Sequence, residues 1–215
     1  VQEELIDALC ETGTPVVVVL VTGKPFEMIR IKDKAAALVV QWYAGEEQGS
    51  AIAELLFGKE NFSGRLPVSF PKSTGHLPCY YNYYPSDKGY YNRKGSLDKP
   101  GRDYVFSDPY ALYTFGYGLS YSKFEYTDMM IEIADGKDAS GAGSLSMDDT
   151  IIVKVGLKNT SDVAGKETVQ IYANDKASSY ITPAKSLVGY KKVEVKPGSE
   201  AVAAVEIPAS RLAFY

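Results

Sequence analysis

The sequence predicts an α/β layer sandwich with a partial, mostly parallel sheet, followed by an all-β sandwich. Two short continuous runs of β-branched and other apolar residues lie between helical segments near the start of the chain. Such runs are typical of strands covered by helices on both faces of a parallel sheet. From about Ser120 onward, strand-like segments alternate with turns rich in Gly, Pro and Asn, which is the pattern of an antiparallel β-sandwich.

Helical and strand patterns alternate through the first part of the chain, as expected for an α/β layer. Apolar residues at helical spacing predict the longer helices, and Gly13 and Gly58 mark their ends. The pattern predicts a helix, a strand, a short helix, a strand and a helix over residues 1–12, 15–23, 25–30, 35–43 and 44–58. Because two parallel strands do not form a stable sheet alone, we expect further strands of this sheet upstream of residue 1.

The middle of the chain, residues 75–118, is rich in Tyr, Pro and Gly and shows little periodicity. Connections of this length are usually functional or interdomain segments, so we interpret it as an interdomain linker. This places the C-terminal part of an α/β domain at 1–74, with a short edge strand at 66–71, and a β-sandwich domain at 119–215.

The β-sandwich is expected to place Ile152, Val169, Ile171 and Val193 in its core. The polar, Gly/Ser-rich segment 134–149 is expected to form a long surface loop. A sandwich of about seven strands needs one or two more strands than this chain offers, so we expect the domain to be truncated at its C-terminal end.

Charge and cysteine content narrow the functional classes. Lys and Arg number 23 and Asp and Glu 27, a net charge of −4, which gives no reason to expect nucleic acid or a membrane as a partner. Cys10 and Cys79 match no metal-binding spacing, and we expect Cys10 to be a buried free thiol. His76 has no evident partners for a triad or a metal site. No cofactor is expected.

Aromatic and acidic residues after the second predicted strand are candidates for a binding site. Trp42 and Tyr43 end this strand, and ligands of open α/β sheets lie beyond the carboxyl ends of the strands. A sugar-stacking platform and core or interface packing are both consistent with this position. Glu46 and Glu47 follow at the predicted start of a helix, where carboxylates interact favourably with the helix N-terminus; acid–base chemistry is the alternative.

A tyrosine-rich loop provides a second group of candidates. Its rings suit either a substrate-facing surface or interdomain packing, because each combines an apolar body with a polar tip. The loop contains Tyr80, Tyr81, Tyr83, Tyr84, Tyr90, Tyr91 and Arg93. We select Tyr90 and Arg93, together with Trp42 and Tyr43, as the predicted substrate-binding residues.

Three segments, in this order, resemble glycoside hydrolase family 3, the group of β-glucosidases and β-xylosidases. The first is VVVVLVTGKPFEM with ALVVQWYAGEEQGSAIAELLFGKENFSGRLPVSFP, the second is LYTFGYGLSYSKFEY, and the third comprises VKVGLKNTSDVAGKETVQIY and LVGYKKVEVKPG. In the family a strand ends in a Trp-Tyr pair, a turn with Gly and Glu opens a helix, and GRLPVSFP or a close variant follows. The chain has Glu46 where the family normally has Gln, and Gln48 where it has Gly, which leaves the fold assignment intact.

The resemblance implies an enzyme of three parts: a barrel-like N-terminal domain, an α/β sandwich and an immunoglobulin-like, fibronectin type III-like sandwich. It implies retaining, exo-acting hydrolysis of terminal β-linked sugars by two carboxylates about 5–5.5 Å apart. In the family the nucleophile is an Asp of the first domain, and the acid/base is typically a Glu that precedes the segment matching Val1. Neither has a counterpart here, so we assign no catalytic residue and expect the chain alone to be inactive.

The resemblance also implies a β-glycoside or oligosaccharide substrate, contacted through the N-terminal domain, and a periplasmic or extracellular location rather than the cytoplasm. The resemblance is consistent with a homo-oligomer as well as a monomer, and both oligomeric states stay open. The alternative is a non-catalytic module that binds carbohydrate or another protein. A nucleotide-binding α/β domain is disfavoured, because neither GxGxxG nor GxxxxGK[ST] follows the first predicted strand.

Overall fold

The structure is a computed structural model that describes residues 1–85, 98, 110–134 and 144–213. The chain divides into two compact units. The first unit comprises Val1–Glu60, Leu66–Tyr81 and the described residues of 86–117, and the second comprises Asn61–Arg65, Asn82–Pro85 and the described residues of 118–215. Two short segments from the first half of the sequence therefore belong to the second unit. The domain boundaries given above stay predictions.

The first unit contains a parallel pair of strands and two helices. Its elements are α1 at Gln2–Glu11, β1 at Val17–Leu20, β2 at Ala37–Val40 and α2 at Gln48–Leu56. β1 and β2 pair in parallel, with Val17 opposite Ala37, which confirms the arrangement predicted from the β-branched runs. After α2, Gly58 has a φ of 74°, the left-handed conformation that commonly ends a helix.

Three buried side chains, Met28, Ile31 and Phe70, form the core of the first unit. The two strands pack against this core with partly buried side chains, at Val18, Leu20, Leu38 and Val40. Val17 is 46% exposed, and no residue of β1 or β2 is fully buried. The burial on both faces that we predicted for these strands is therefore not reached within the described residues.

Two predicted elements of the first unit are replaced by turns and a single bridge. Residues 25–30 form no helix; instead, the backbone N–H groups of Ile31 and Lys32 donate to Met28 O at 3.1 and 3.0 Å in a turn. This turn suffices to bury both Met28 and Ile31 in the core. Residues 66–71 form no edge strand, but Phe70 makes an isolated antiparallel bridge with Tyr113.

The second unit is an antiparallel β-sandwich, as predicted. Its strands are β3 at Phe124–Ile133, β4 at Thr150–Asn159, β5 at Gly165–Ala173, β6 at Ser186–Val195 and β7 at Glu200–Pro208, and a short 3₁₀ helix follows at Ala209–Leu212. One sheet has the order β3-β4-β7 and the other has the order β5-β6, with antiparallel pairing throughout.

One of the four core residues that we predicted for the sandwich, Ile152, does not lie in its core. β4 buries every second side chain, at Ile151, Val153, Val155 and Leu157. Ile152 therefore lies on the opposite face of the sheet, where it pairs with Glu132 and Glu206. The apolar run TIIVKV does not by itself reveal which of two adjacent isoleucines faces inward, and the prediction was wrong by one residue. Val169 is buried, and Ile171 and Val193 pack against the core as expected.

Candidate functional site

The carboxyl ends of β1 and β2 meet at one edge of the first unit, because the two strands are parallel. We call residues 21–24 and 41–47, which follow these strands, the carboxyl edge. Gln41 N donates to Leu20 O at 2.9 Å and so extends the strand pairing by one residue. In open α/β sheets the crevice beyond this end of the strands is the usual position of a ligand.

Trp42 has an unusual backbone conformation for a bulky residue. Its φ of 56° lies in the left-handed region, which residues other than Gly, Asn and Asp rarely adopt. Such a conformation costs on the order of 1–3 kcal/mol and is found preferentially at functional sites. The indole ring is partly buried and lies 6.0 Å from the ring of Phe70, at an angle of 53°. The structure therefore gives Trp42 a packing contact in the core of the first unit.

Tyr43 projects into solvent at the carboxyl edge. It is 76% exposed, and its ring lies directly against Gly23: a β-carbon added to Gly23 would be 2.7 Å from Tyr43 Cε2. The ring therefore contacts the chain segment that leaves β1. The left-handed turn at Trp42 separates the two aromatic side chains, so that one packs inside the unit and the other offers an open face.

The polar surroundings of Tyr43 come from both strand ends. Thr22 is buried, and its hydroxyl donates to Lys24 O at 2.8 Å and accepts from Lys24 N at 3.2 Å, which holds a tight turn after β1. The ammonium group of Lys24 lies 5.5 Å from the ring centre of Phe26. Glu46 and Glu47 are exposed, and Glu47 caps α2 without a side-chain hydrogen bond. The carboxyl edge thus combines an exposed aromatic ring with one cationic and two anionic side chains.

The other two predicted site residues, Tyr90 and Arg93, lie outside the described residues. In the tyrosine-rich loop, Tyr80 and Tyr84 are exposed, and Tyr81 stacks on Phe115 with ring centres 4.1 Å apart. Our sequence reasoning missed Thr22, Gly23 and Lys24 at the carboxyl edge. The TGK triplet at the end of the first predicted strand, 15–23, was the signal, since a turn at a strand end places its side chains beside those of the next strand.

Within the described residues, no group of three or more His, Cys, Asp or Glu residues is placed to hold a metal ion. Cys10 and Cys79 are both free and partly buried, so Cys10 is less buried than predicted. Desolvation raises the pKa of the Cys79 thiol, which makes it a weaker nucleophile at neutral pH. No described helix is long and apolar enough to cross a membrane.

Two family models match the chain. The model of the glycosyl hydrolase family 3 C-terminal domain matches residues 1–121, and that of the fibronectin type III-like domain matches residues 167–215. Among curated proteins, the chain is 35% identical to a periplasmic beta-glucosidase of Salmonella typhimurium, aligned over 100% of the chain and 26% of that protein. It is 38% identical to thermostable beta-glucosidase B of Acetivibrio thermocellus, over 100% of the chain and 27% of that protein.

Solved structures agree with these matches. The crystal structure of a beta-glucosidase from Listeria innocua in complex with isofagomine superposes with a TM-score of 0.79 at 33% identity, covering 100% of this chain and 28% of that one. A beta-glucosidase from Erythrobacter marinus superposes with a TM-score of 0.81 at 35% identity, covering 97% of this chain and 25% of that one. The chain thus spans about a quarter of the length of the relatives it matches.

Proposed function

Because this chain belongs to glycosyl hydrolase family 3, we propose that it is the C-terminal portion of a retaining, exo-acting β-glycosidase of β-glucosidase type. The observation that carries this proposal is the match of the whole chain, through both of its units, to proteins that are named beta-glucosidases. The substrate in this proposal is a terminal β-linked glycoside. One relative is named periplasmic, which supports the proposal of a periplasmic or extracellular location.

The chain's contribution in this proposal is substrate binding rather than bond cleavage. The retaining mechanism needs a nucleophilic carboxylate and an acid/base carboxylate about 5–5.5 Å apart. The family resemblance places both on segments that have no counterpart in this sequence. We therefore assign no catalytic residue here, and in this proposal bond cleavage is the work of parts of the whole enzyme outside this chain.

Tyr43 is the residue with the geometry of a sugar platform. Its ring is open to solvent and contacts Gly23 through one edge, so the apolar face of a pyranose ring can stack on it. Lys24, Glu46 and Glu47 lie on the two chain segments beside it and offer hydrogen-bonding groups to sugar hydroxyls. Trp42 acts in this proposal by positioning Tyr43 through its left-handed backbone. Tyr90 and Arg93 stay in the proposal on sequence grounds.

Substitution of Tyr43 in the whole enzyme tests this assignment. An aromatic stacking contact contributes roughly 0.5–1.5 kcal/mol, so Tyr43→Ala is expected to raise KM for a β-linked disaccharide about three- to tenfold, with kcat little changed. Tyr43→Phe keeps the ring and should stay near the wild-type KM. Tyr190→Ala removes a similarly exposed tyrosine from the second unit and is the matched control. An unchanged KM in Tyr43→Ala would remove Tyr43 from the binding site and leave the assignment of the chain to a β-glycosidase untouched.

A further inference from the structure

The loop that carries Tyr43 is closed at its base by a side-chain hydrogen bond. We call residues 42–47, which precede α2, the edge loop. Gln41 Nε2 donates to Gln48 O at 2.6 Å, so the residue before the edge loop is joined to the first residue of α2. The main chain of Gln41 is fixed as well, because its N–H donates to Leu20 O at 2.9 Å. Gln41 therefore connects β1, the edge loop and α2.

The backbone of the edge loop needs such support. Trp42 and Gly45 both have left-handed conformations, with φ of 56° and 83°. For a bulky residue such as Trp42 this conformation is strained and persists only where the surrounding structure holds it. The contact of the Trp42 ring with Phe70 holds the first residue of the loop. The hydrogen bond from Gln41 to Gln48 holds the two ends of the loop together.

The direction of the Tyr43 ring depends on this backbone. The ring is 76% exposed and contacts Gly23 through one edge, so few neighbouring atoms restrict it. A binding group that is held in its bound direction before the ligand arrives binds more tightly, because less conformational freedom is lost on binding. A contact that fixes the edge loop therefore strengthens any interaction that Tyr43 makes.

We propose that Gln41 is a positioning residue of the sugar-binding site, which fixes the edge loop and through it the ring of Tyr43. This inference rests on the role of Tyr43 proposed above. The amide group suits the task because its NH₂ donates to the carbonyl oxygen of Gln48, which can only accept. Gln41 needs no contact with the sugar, since its effect reaches the ligand through the backbone of the loop.

Gln41→Met in the whole enzyme tests this role. Met has a side chain of similar length that cannot donate a hydrogen bond, so the shape of the site is kept while the connection to Gln48 is lost. We expect KM for a β-linked disaccharide to rise about threefold, with kcat little changed, because part of the stacking contact with Tyr43 is lost. Gln48→Ala is the matched control: it removes an exposed side chain at the same place and keeps the carbonyl oxygen that accepts the bond.

A double variant separates positioning from a general loss of structure. Because Gln41 acts through Tyr43, Gln41→Met should not raise KM further in the Tyr43→Ala background. Independent effects would instead multiply. Hydrogen exchange within residues 42–47, measured in the same enzyme, should become about threefold faster or more in Gln41→Met and stay unchanged in Gln48→Ala.

The outcomes distinguish this inference from the proposed function on which it rests. If Tyr43→Ala raises KM but Gln41→Met does not, or if the two effects multiply, the positioning role of Gln41 is overturned and the role of Tyr43 stands. An equal rise of KM in Gln48→Ala would overturn the positioning role as well. If Tyr43→Ala leaves KM unchanged, the role of Tyr43 fails, and the inference for Gln41 fails with it.

Discussion

Glu167 is a buried carboxylate in the second unit, and two side chains satisfy it. Arg65 Nη2 donates to one carboxylate oxygen at 2.5 Å, and the Tyr126 hydroxyl donates to the other at 3.0 Å. A buried charge is costly unless it is paired and hydrogen-bonded. The side chains of Arg65, Tyr126 and Glu167 therefore depend on one another and form one hydrogen-bonded cluster. Desolvation, and next the negative charge of Glu167, raise the pKa of Tyr126 well above its ordinary value.

This raised pKa predicts how stability depends on pH. An unfolded tyrosine loses its proton near pH 10, whereas the folded protein retains the proton on Tyr126 to higher pH. Stability from this group is therefore complete below pH 10 and is lost as the pH rises beyond it. Tyr126→Phe loses the hydrogen bond to the carboxylate and should be less stable at pH 7 by about 1–2 kcal/mol.

Urea unfolding of wild type and Tyr126→Phe at pH 7 and pH 11 measures this linkage. The difference in unfolding free energy between the two proteins should narrow at pH 11. Only the wild type has a tyrosine at position 126, and at this pH that tyrosine keeps its proton when folded and loses it on unfolding. Tyr190→Phe, at an exposed tyrosine of β6, controls for other effects of alkali. A difference that stays constant or widens at pH 11 would contradict the assigned proton.

The segment Asn61–Arg65 is held on the β-sandwich by one fully used amide side chain. Asn61 Nδ2 donates to Ser122 Oγ and Ala164 O, both at 2.8 Å, and Asn61 Oδ1 accepts from Ser120 Oγ at 2.9 Å and from Tyr121 N at 3.0 Å. Gly165 faces this network at short range: a β-carbon there would be 2.4 Å from Ser122 Oγ. The segment is therefore part of the architecture of the sandwich.

Asn61→Ala should destabilise the second unit by about 2–3 kcal/mol, because it leaves several part-buried polar groups without their partner. Asn174→Ala is the matched control: the exposed Asn174 makes one hydrogen bond, to Ala184 O at 2.7 Å, and should cost less than about 1 kcal/mol. Trp42 is the one tryptophan of the sequence and lies in the first unit, so its fluorescence does not report on the unfolding of the second unit. Hydrogen exchange of the β5 amides measures the stability of the second unit directly. Equal losses of unfolding free energy in the two variants would show that the hydrogen bonds of Asn61 contribute little to the stability of the second unit.

Elements whose apolar residues recur at a clear helical or strand spacing were predictable from the sequence. Elements that depend on contacts between distant residues were not. The parallel pairing of β1 and β2 followed from β-branched runs alone, and the five strands of the sandwich followed from their turns. The turn at Met28–Ile31 and the bridge of Phe70 to Tyr113 depend on the packing of one small core, which local sequence does not encode. The same holds for Ile152, whose neighbour Ile151 has the same side chain.

The candidate site was likewise predictable in part: its position followed from the sequence, and the environments of its side chains did not. The β-branched runs and the parallel arrangement that they predict were sufficient to place Trp42 and Tyr43 at the carboxyl end of a strand. Their different environments depend on one backbone angle, the φ of 56° at Trp42, which no pattern in the sequence indicates. The contact of Tyr43 with Gly23 joins the segments that follow the two strands and becomes visible only once the strands are paired.

For the whole molecule, we propose that this chain is the C-terminal portion of a β-glucosidase-type enzyme and carries no catalytic carboxylate. A chimera tests both halves of this claim. The chain replaces the region it matches in the periplasmic beta-glucosidase of Salmonella typhimurium, with which it aligns over its full length. Hydrolysis of an aryl β-glucoside is then compared between the folded chimera, the 215-residue chain alone and buffer.

We expect the chimera to hydrolyse the aryl β-glucoside and the chain alone not to exceed the buffer rate. An intermediate control, the Salmonella protein without the matched region, should be inactive, so that activity in the chimera reports on the chain. Hydrolysis by the isolated chain, or a chimera that folds but does not hydrolyse the substrate, would contradict the account.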